Sequence, residues 1–163
     1  MVKNWHIDQA SYNELSRLLY INKPKQILEL GSGQTSILFS EFINEFGGKF
    51  LSLEHSPIWY DHTRNILGVK TGVVLAPLKE TDNGFFYDYG LPDNIDFVLI
   101  DSPPLKFGRN ATFYKIYPHL SDDFTVWLDD ANRPHEKECL QNWQRDLGIK
   151  VEKINGRGVV ITR

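Results

Sequence analysis

The sequence predicts an α/β fold built on a doubly wound, mostly parallel sheet. Three observations predict it. Five short, apolar, β-rich segments start at positions 26, 50, 72, 96 and 124, a near-constant interval. Segments with helical apolar spacing lie between most of them. The stretch from Lys150 onward differs: it reads as two strands joined by a tight turn. Strand–helix alternation at this period folds as right-handed βαβ units. Continuously apolar strands suit burial on both faces.

Each element has a local reason. Tyr12, Leu15, Leu18 and Leu19 mark an opening helix that Pro24 stops. Residues 1–25 are thus expected as an N-terminal helical segment, and 26–163 as the core of a single domain. QILEL (26–30) is the first strand. Leu38, Phe39, Phe42, Ile43 and Phe46 share a helical face ended by Gly47-Gly48. FLSLE (50–54) and GVVL (72–75) are the next strands, with Ser56-Pro57 as a helix start between them. The polar, aromatic stretch 79–94 is expected as a surface loop or a short helix. DFVLI (96–100) precedes a helix carrying Phe113, Ile116, Tyr117 and Leu120, and FTVWL (124–128) precedes one carrying Leu140, Trp143 and Leu147. KVEKI (150–154), NGRG (155–158) and VVIT (159–162) form the final hairpin, one strand of which must run antiparallel to the rest.

Composition narrows the function classes. A length of 163 residues suits one domain. Hydrophobic residues make up 41%, enough for a core. The net charge of −3 advertises neither a nucleic-acid surface nor an anionic-membrane one. No apolar run reaches the roughly 20 residues of a membrane helix, and MVKNWHIDQA has no signal-peptide core. The single cysteine, Cys139, excludes an internal disulfide and a cysteine-rich zinc site. A cytoplasmic location is the expectation. Aromatics are unusually frequent at 13%. Phe39, Phe42, Phe46, Phe113 and Trp143 fall on core faces, whereas Trp59, Phe85, Phe86, Tyr87, Tyr89 and Phe107 follow strand ends.

The most informative string is ILELGSGQTS (27–36). A buried strand ends in Glu29-Leu30 and turns through Gly31-Ser32-Gly33 into a helix. Open α/β sheets bind ligands at such carboxyl ends of strands. A plain strand–helix turn is the alternative, but a carboxylate near the end of an apolar strand is costly without a partner. A dinucleotide fingerprint G-x-G-x-x-G is incomplete, because Ser36 stands at the third glycine position. Nothing basic lies in the turn to meet a pyrophosphate, and Glu29 would oppose one.

ELGSG resembles the E/D-x-G-x-G first motif of class I S-adenosylmethionine-dependent methyltransferases. The second motif, LSLEHSPIWY (51–60), is also similar and ends its strand in Glu54. The chain further resembles small, compact members whose second motif reads like SLEH…W and whose fourth strand ends in ID-x-PP. The resemblance implies a Rossmann-like methyltransferase fold, with a mostly parallel seven-stranded sheet and an antiparallel C-terminal hairpin strand. It implies S-adenosyl-L-methionine as cofactor, with S-adenosyl-L-homocysteine as product. The cofactor residues it implies are Glu29, Gly31, Ser32, Gly33, Ser36, Glu54, His55, Ala76, Pro77 and Asp101. Among these, Glu54 would accept the ribose hydroxyls, and Ala76-Pro77 would meet adenine through backbone. The alternative for Glu54 is an acid at the start of the next helix.

DFVLIDSPP (96–104) and VWLDDANRPHE (126–136) put Asp101, Asp129 and Asp130 at strand ends, and the strand order that the resemblance implies makes those strands neighbours, about 4.8 Å apart. Three readings stay open. Asp101 or Asp130 is a catalytic general base. Asp101 and Asp130 hold a divalent ion as in catechol-type O-methyltransferases, with Asp129 and Asn132 as further ligands. Or these acids cap helices. The metal is left unknown. Ser102-Pro103-Pro104-Leu105 approaches the [DNS]-P-P-[YFW] motif of amino-methyltransferases, but Leu105 takes the aromatic position and Phe107 comes late. Pro103, Arg109 and Arg133 are candidate substrate residues, the arginines as clamps for an acidic acceptor or else as solvated helix ends. His55 and His135 near strand ends, and His119, are candidate bases.

The expected function is methyl transfer from S-adenosylmethionine to a small-molecule acceptor, with O-methylation favoured. N-methylation of an amino group, an NAD-linked oxidoreductase and a non-catalytic cofactor-binding module are the alternatives. Nucleic-acid and membrane partners are not expected. The aromatic loop Phe85, Phe86, Tyr87 and Tyr89 is a candidate lid or homo-oligomer interface.

Overall fold

The computed structural model describes residues 6–154 and 156–163. The expected hairpin turn 155–158 therefore lies partly outside them, at Asn155. A seven-stranded sheet forms the centre, built from β1 (Gln26–Leu30), β2 (Lys49–Glu54), β3 (Val73–Leu75), β6 (Ile95–Ile100), β7 (Leu120–Leu128), β8 (Lys150–Lys153) and β9 (Val159–Thr162). Their order is β3-β2-β1-β6-β7-β9-β8. The first five strands of that order are mutually parallel, and β9 runs antiparallel to both β7 and β8. The order reverses between β1 and β6, which opens a crevice at their carboxyl ends.

Side-chain alternation splits the core into two layers. Leu28, Leu30, Val98 and Ile100 face α4 (Asn110–Ile116) and α5 (Pro134–Leu147) in one layer. Ile27, Phe97, Leu99 and Trp127 face α1 (Gln9–Asn22) and α2 (Gln34–Phe46) in the other. Glu29 shares the parity of Ile27, so its side chain projects toward α2. The Asp8 carboxylate caps α1 by accepting from Ser11 N–H at 2.9 Å. Lys23, just before Pro24, closes α1 in the left-handed region.

Two expectations are corrected. Residues 79–94 hold neither a plain loop nor a helix. β4 (Leu78–Thr81) and β5 (Gly84–Tyr87) form a separate antiparallel pair, with Leu78 opposite Tyr87 and Thr81 opposite Gly84. The reason is turn chemistry: Asp82-Asn83 bridges the strands and Gly84 takes φ +117°. Phe86 and Tyr87 therefore pack in the core rather than facing a ligand. Leu120 belongs to β7, not to the preceding helix. α4 ends at Ile116, and a 3₁₀ turn containing Pro118 redirects the chain. Among the described residues, no helix is long and apolar enough to cross a membrane.

Candidate functional site

A cavity of about 810 Å³ opens at the carboxyl ends of β1, β2, β6 and β7. Gly31, Ser32 and Gly33 form one wall. Gly31 has φ +96°, and a Cβ there would stand 2.8 Å from the Ser102 Cβ. Glycine is therefore required for the β1 turn to pass the β6 turn. Gly33 is different: its backbone is extended, and a Cβ there would meet nothing within 4 Å. Gly31→Ala is expected to cost about 1–3 kcal/mol of stability in urea unfolding. Gly33→Ala is expected to unfold like the native chain and instead to reduce the affinity of whatever fills the cavity. Equal stability of the two variants would overturn this division.

Glu54 ends β2 and is 3% exposed. Its Oε2 accepts from Ser32 N–H at 2.9 Å and from Ser32 Oγ at 3.2 Å, and its Oε1 accepts from Ser56 N–H at 2.8 Å. It thus ties the glycine turn to the start of α3 (Pro57–Asp61), where Ser56 is the N-cap. The helix-start role exists, and the residue also lines the cavity. A π-helical turn at His62–Ile66 brings Thr63 Oγ1 to 2.9 Å from Ser32 Oγ. His55 Nδ1 is buried, lies 3.3 Å from Glu54 Oε1 and has no hydrogen-bond partner among the described residues. Its ring packs edge-on to Phe107, which packs on Phe85. Trp59 lines the same wall.

Glu29 lies elsewhere than expected. It is fully buried and outside the cavity lining. Its carboxylate accepts from the hydroxyls of Thr35, Ser36 and Ser52, the last at 2.6 Å. Burial is the first cause of a carboxyl pKa raised to about 7, which these hydrogen bonds oppose. Ser36 Oγ also accepts from Gly33 N–H at 3.0 Å. Glu29 and Ser36 therefore shape the turn from beneath. Ala76 is buried and Pro77 is exposed, and neither lines the cavity.

The acidic corner is brought together as the strand order required. The carboxylate oxygens of Asp101, Asp129 and Asp130 lie within 4.8 Å of one another. Asp101 alone opens broadly to the cavity, with 47% of its side chain exposed. Burial, followed by the Asp129 charge, raises its carboxyl to about 7, against the pull of Arg109. Water in the open cavity screens part of this effect, and a ligand that displaces the water restores it. Asp130 does not line the cavity. It adopts φ +54°, a left-handed conformation that aspartate tolerates, and turns toward Arg133 at 2.7 Å and Arg157 at 3.3 Å.

Arg109 lines the cavity but is no solvated helix end. It is 3% exposed, and its guanidinium donates to the carbonyls of Pro103, Asp129 and Asp101 and approaches Asp101 Oδ1 at 3.3 Å. It bolts the β6 and β7 ends together. Pro103 is buried and outside the lining, and Pro104 takes the wall position. Arg133 lines the cavity while paired with Asp130. His135 accepts from Arg109 N–H and His119 pairs with Asp93, so neither faces the cavity. The sequence reading missed Arg157, whose fork holds Asp129, and Tyr87, whose hydroxyl donates to Ser102 Oγ at 2.8 Å. Both contacts join residues distant in sequence, and no local pattern marks them.

No family model matches the chain. No curated protein matches it either. Solved structures do. A methyltransferase from Podospora anserina bound to S-adenosylhomocysteine superposes with a TM-score of 0.67 at 17% identity, covering 93% of this chain and 77% of the other. A putative caffeoyl-CoA O-methyltransferase from Staphylococcus aureus gives 0.69 at 18% identity, covering 96% and 83%. An O-methyltransferase from Bacillus cereus, in complex with S-adenosylhomocysteine, gives 0.67 at 13% identity, covering 98% and 83%. The fold is the methyltransferase fold. The cavity lies at the β1–β6 switch point, the place where open α/β sheets bind ligands.

Proposed function

We propose that this chain transfers a methyl group from S-adenosylmethionine to a small-molecule acceptor, preferentially onto oxygen. The observation that carries the reading is the pairing of Glu54 with the Gly31–Gly33 turn on one wall of a cavity roomy enough for two ligands. The chemistry of this wall suits such a cofactor. Glu54 is an acceptor for a ribose diol, and Gly33 leaves open a space that a Cβ would occupy. Arg109, a buried cation on the cavity wall, is spent on carbonyls and Asp101 rather than held open for a pyrophosphate.

When bound, the cofactor's sulfonium supplies an electrophilic methyl group. The chain's own residues do the rest. The turn and Glu54 would hold the donor, and Pro104, Leu105 and Trp59 would offer the acceptor a largely apolar wall. Alignment of the two ligands accounts for most of the acceleration. Asp101 takes the acceptor proton on its carboxylate. Because its carboxyl is raised, activity is expected to increase as pH rises toward about 7.

Calorimetry on the full chain tests the reading. S-adenosylmethionine and S-adenosylhomocysteine are expected to bind, and NAD is expected to give no saturable heat. Binding of NAD alone would sink the proposal in favour of the oxidoreductase reading.

A further inference from the structure

The catechol-type pattern suggests a divalent ion on the three acids, and the side chains around them do not fit one. We infer that Arg157 is a resident cation that takes the place of a divalent ion at the acidic corner of Asp101, Asp129 and Asp130. The inference deepens the proposed methyl transfer and concerns the same site.

The geometry is specific. Asp129 is nearly fully buried, so its charge needs a partner. Arg157 provides it as a fork: Nε stands 3.1 Å and Nη2 2.9 Å from Asp129 Oδ2. The same Nε lies 3.3 Å from Asp130 Oδ1. One guanidinium therefore spans two of the three carboxylates that a metal would need, Asp129 and Asp130. An ion bound at the usual distance of about 2.0–2.6 Å from these oxygens would press on the N–H groups already directed at them. Nor is Arg157 a loosely held surface side chain. Its backbone N–H donates to Ser11 Oγ at 3.2 Å, its carbonyl accepts from Ala131 N–H at 2.9 Å, and Asp8 lies 3.7 Å from Nε.

Charge balance points the same way. Arg109 stands beside Asp101, Arg133 beside Asp130 and Arg157 beside Asp129. Each of the three carboxylates thus has a guanidinium beside it, which offsets part of the attraction that would draw in a divalent ion, while Arg109 also approaches Glu136 at 3.8 Å and Arg157 also approaches Asp8.

The test is ion binding, which needs no methyl acceptor, so its failure is distinguishable from failure of the methyl-transfer reading. The full chain is titrated with Ca²⁺, Mg²⁺ and Mn²⁺ by calorimetry, with and without S-adenosylhomocysteine. The native chain is expected to show no saturable binding into the millimolar range. Arg157→Ala is expected to bind Ca²⁺ or Mn²⁺ at least tenfold more tightly than the native chain, and Arg157→Lys, which keeps a cation, is expected to bind none. Saturable binding by the native chain overturns the inference. A folded Arg157→Ala that binds no more tightly than the native chain does so equally. If loss of the Asp129 partner leaves Arg157→Ala poorly folded, Ca²⁺ is expected to raise its melting temperature, and absence of that rescue counts against the inference.

Discussion

Glu54→Ala is expected to weaken S-adenosylmethionine binding by about a hundredfold or more, close to 3 kcal/mol. The magnitude follows from the number of bonds at stake. A carboxylate that accepts from two hydroxyls contributes on the order of 1.5–3 kcal/mol per charge-assisted bond. The same side chain also accepts from Ser32 N–H and Ser56 N–H, so its removal loosens the glycine turn before any ligand arrives. Glu54→Gln separates the two effects. It leaves an acceptor oxygen for the turn but removes the charge and one acceptor. Its unfolding curve is expected to shift less than that of the alanine variant, since its NH2 faces one of the two backbone N–H groups, while affinity still falls severalfold. Native-like affinity in the alanine variant refutes the ribose role.

The second large effect is at Glu29. A carboxyl raised to about 7 in the folded chain, against 4.5 when exposed, binds its proton more tightly when folded. The folded state therefore holds more protons than the unfolded state between these values, and stability falls as pH rises through this window. The contribution is fully present below pH 4.5 and lost above about pH 7. Its size is on the order of 3 kcal/mol. Glu29→Gln cannot titrate, so urea unfolding followed from acid to neutral pH is expected to lose that share of the slope. An unchanged slope refutes the assignment. Glu29→Ala is more damaging. It strands the hydroxyls of Thr35, Ser36 and Ser52 and leaves a void, at a cost of about 3 kcal/mol or more. Because Ser36 links Glu29 to Gly33 N–H, cofactor affinity is expected to fall with it.

How much of this was legible depends on the range of each interaction. QILEL and DFVLI are legible as strands because short, mostly apolar, β-rich runs suit burial on both faces of a parallel sheet, and both appear where the pattern places them. The need for a partner at Glu29 was readable, but its identity was not. Thr35 and Ser36 lie one helical turn beyond the glycines, whereas Ser52 comes from the neighbouring strand. The 78–87 hairpin escaped because Lys79 and Glu80 are polar on an exposed pair that is not part of the main sheet. Arg109 escaped because its partners are backbone carbonyls from two other strand ends, and carbonyls carry no sequence signature. Arg157 sits in NGRG, whose turn chemistry explains the string without any need for its charge.

The clasp of Arg157 with Asp8 and Ser11 has a practical consequence for handling the protein. It holds the start of α1 beside the last hairpin, and His6 and Ile7, just before it, stand on the cavity wall. Substitutions at His6 or Ile7 are therefore expected to alter ligand affinity as well as the start of α1. Arg163, by contrast, follows β9 away from that mouth and reaches Asp122 near the start of β7. A label at Arg163 is therefore remote from the cavity, whereas one at His6 or Ile7 stands on its wall.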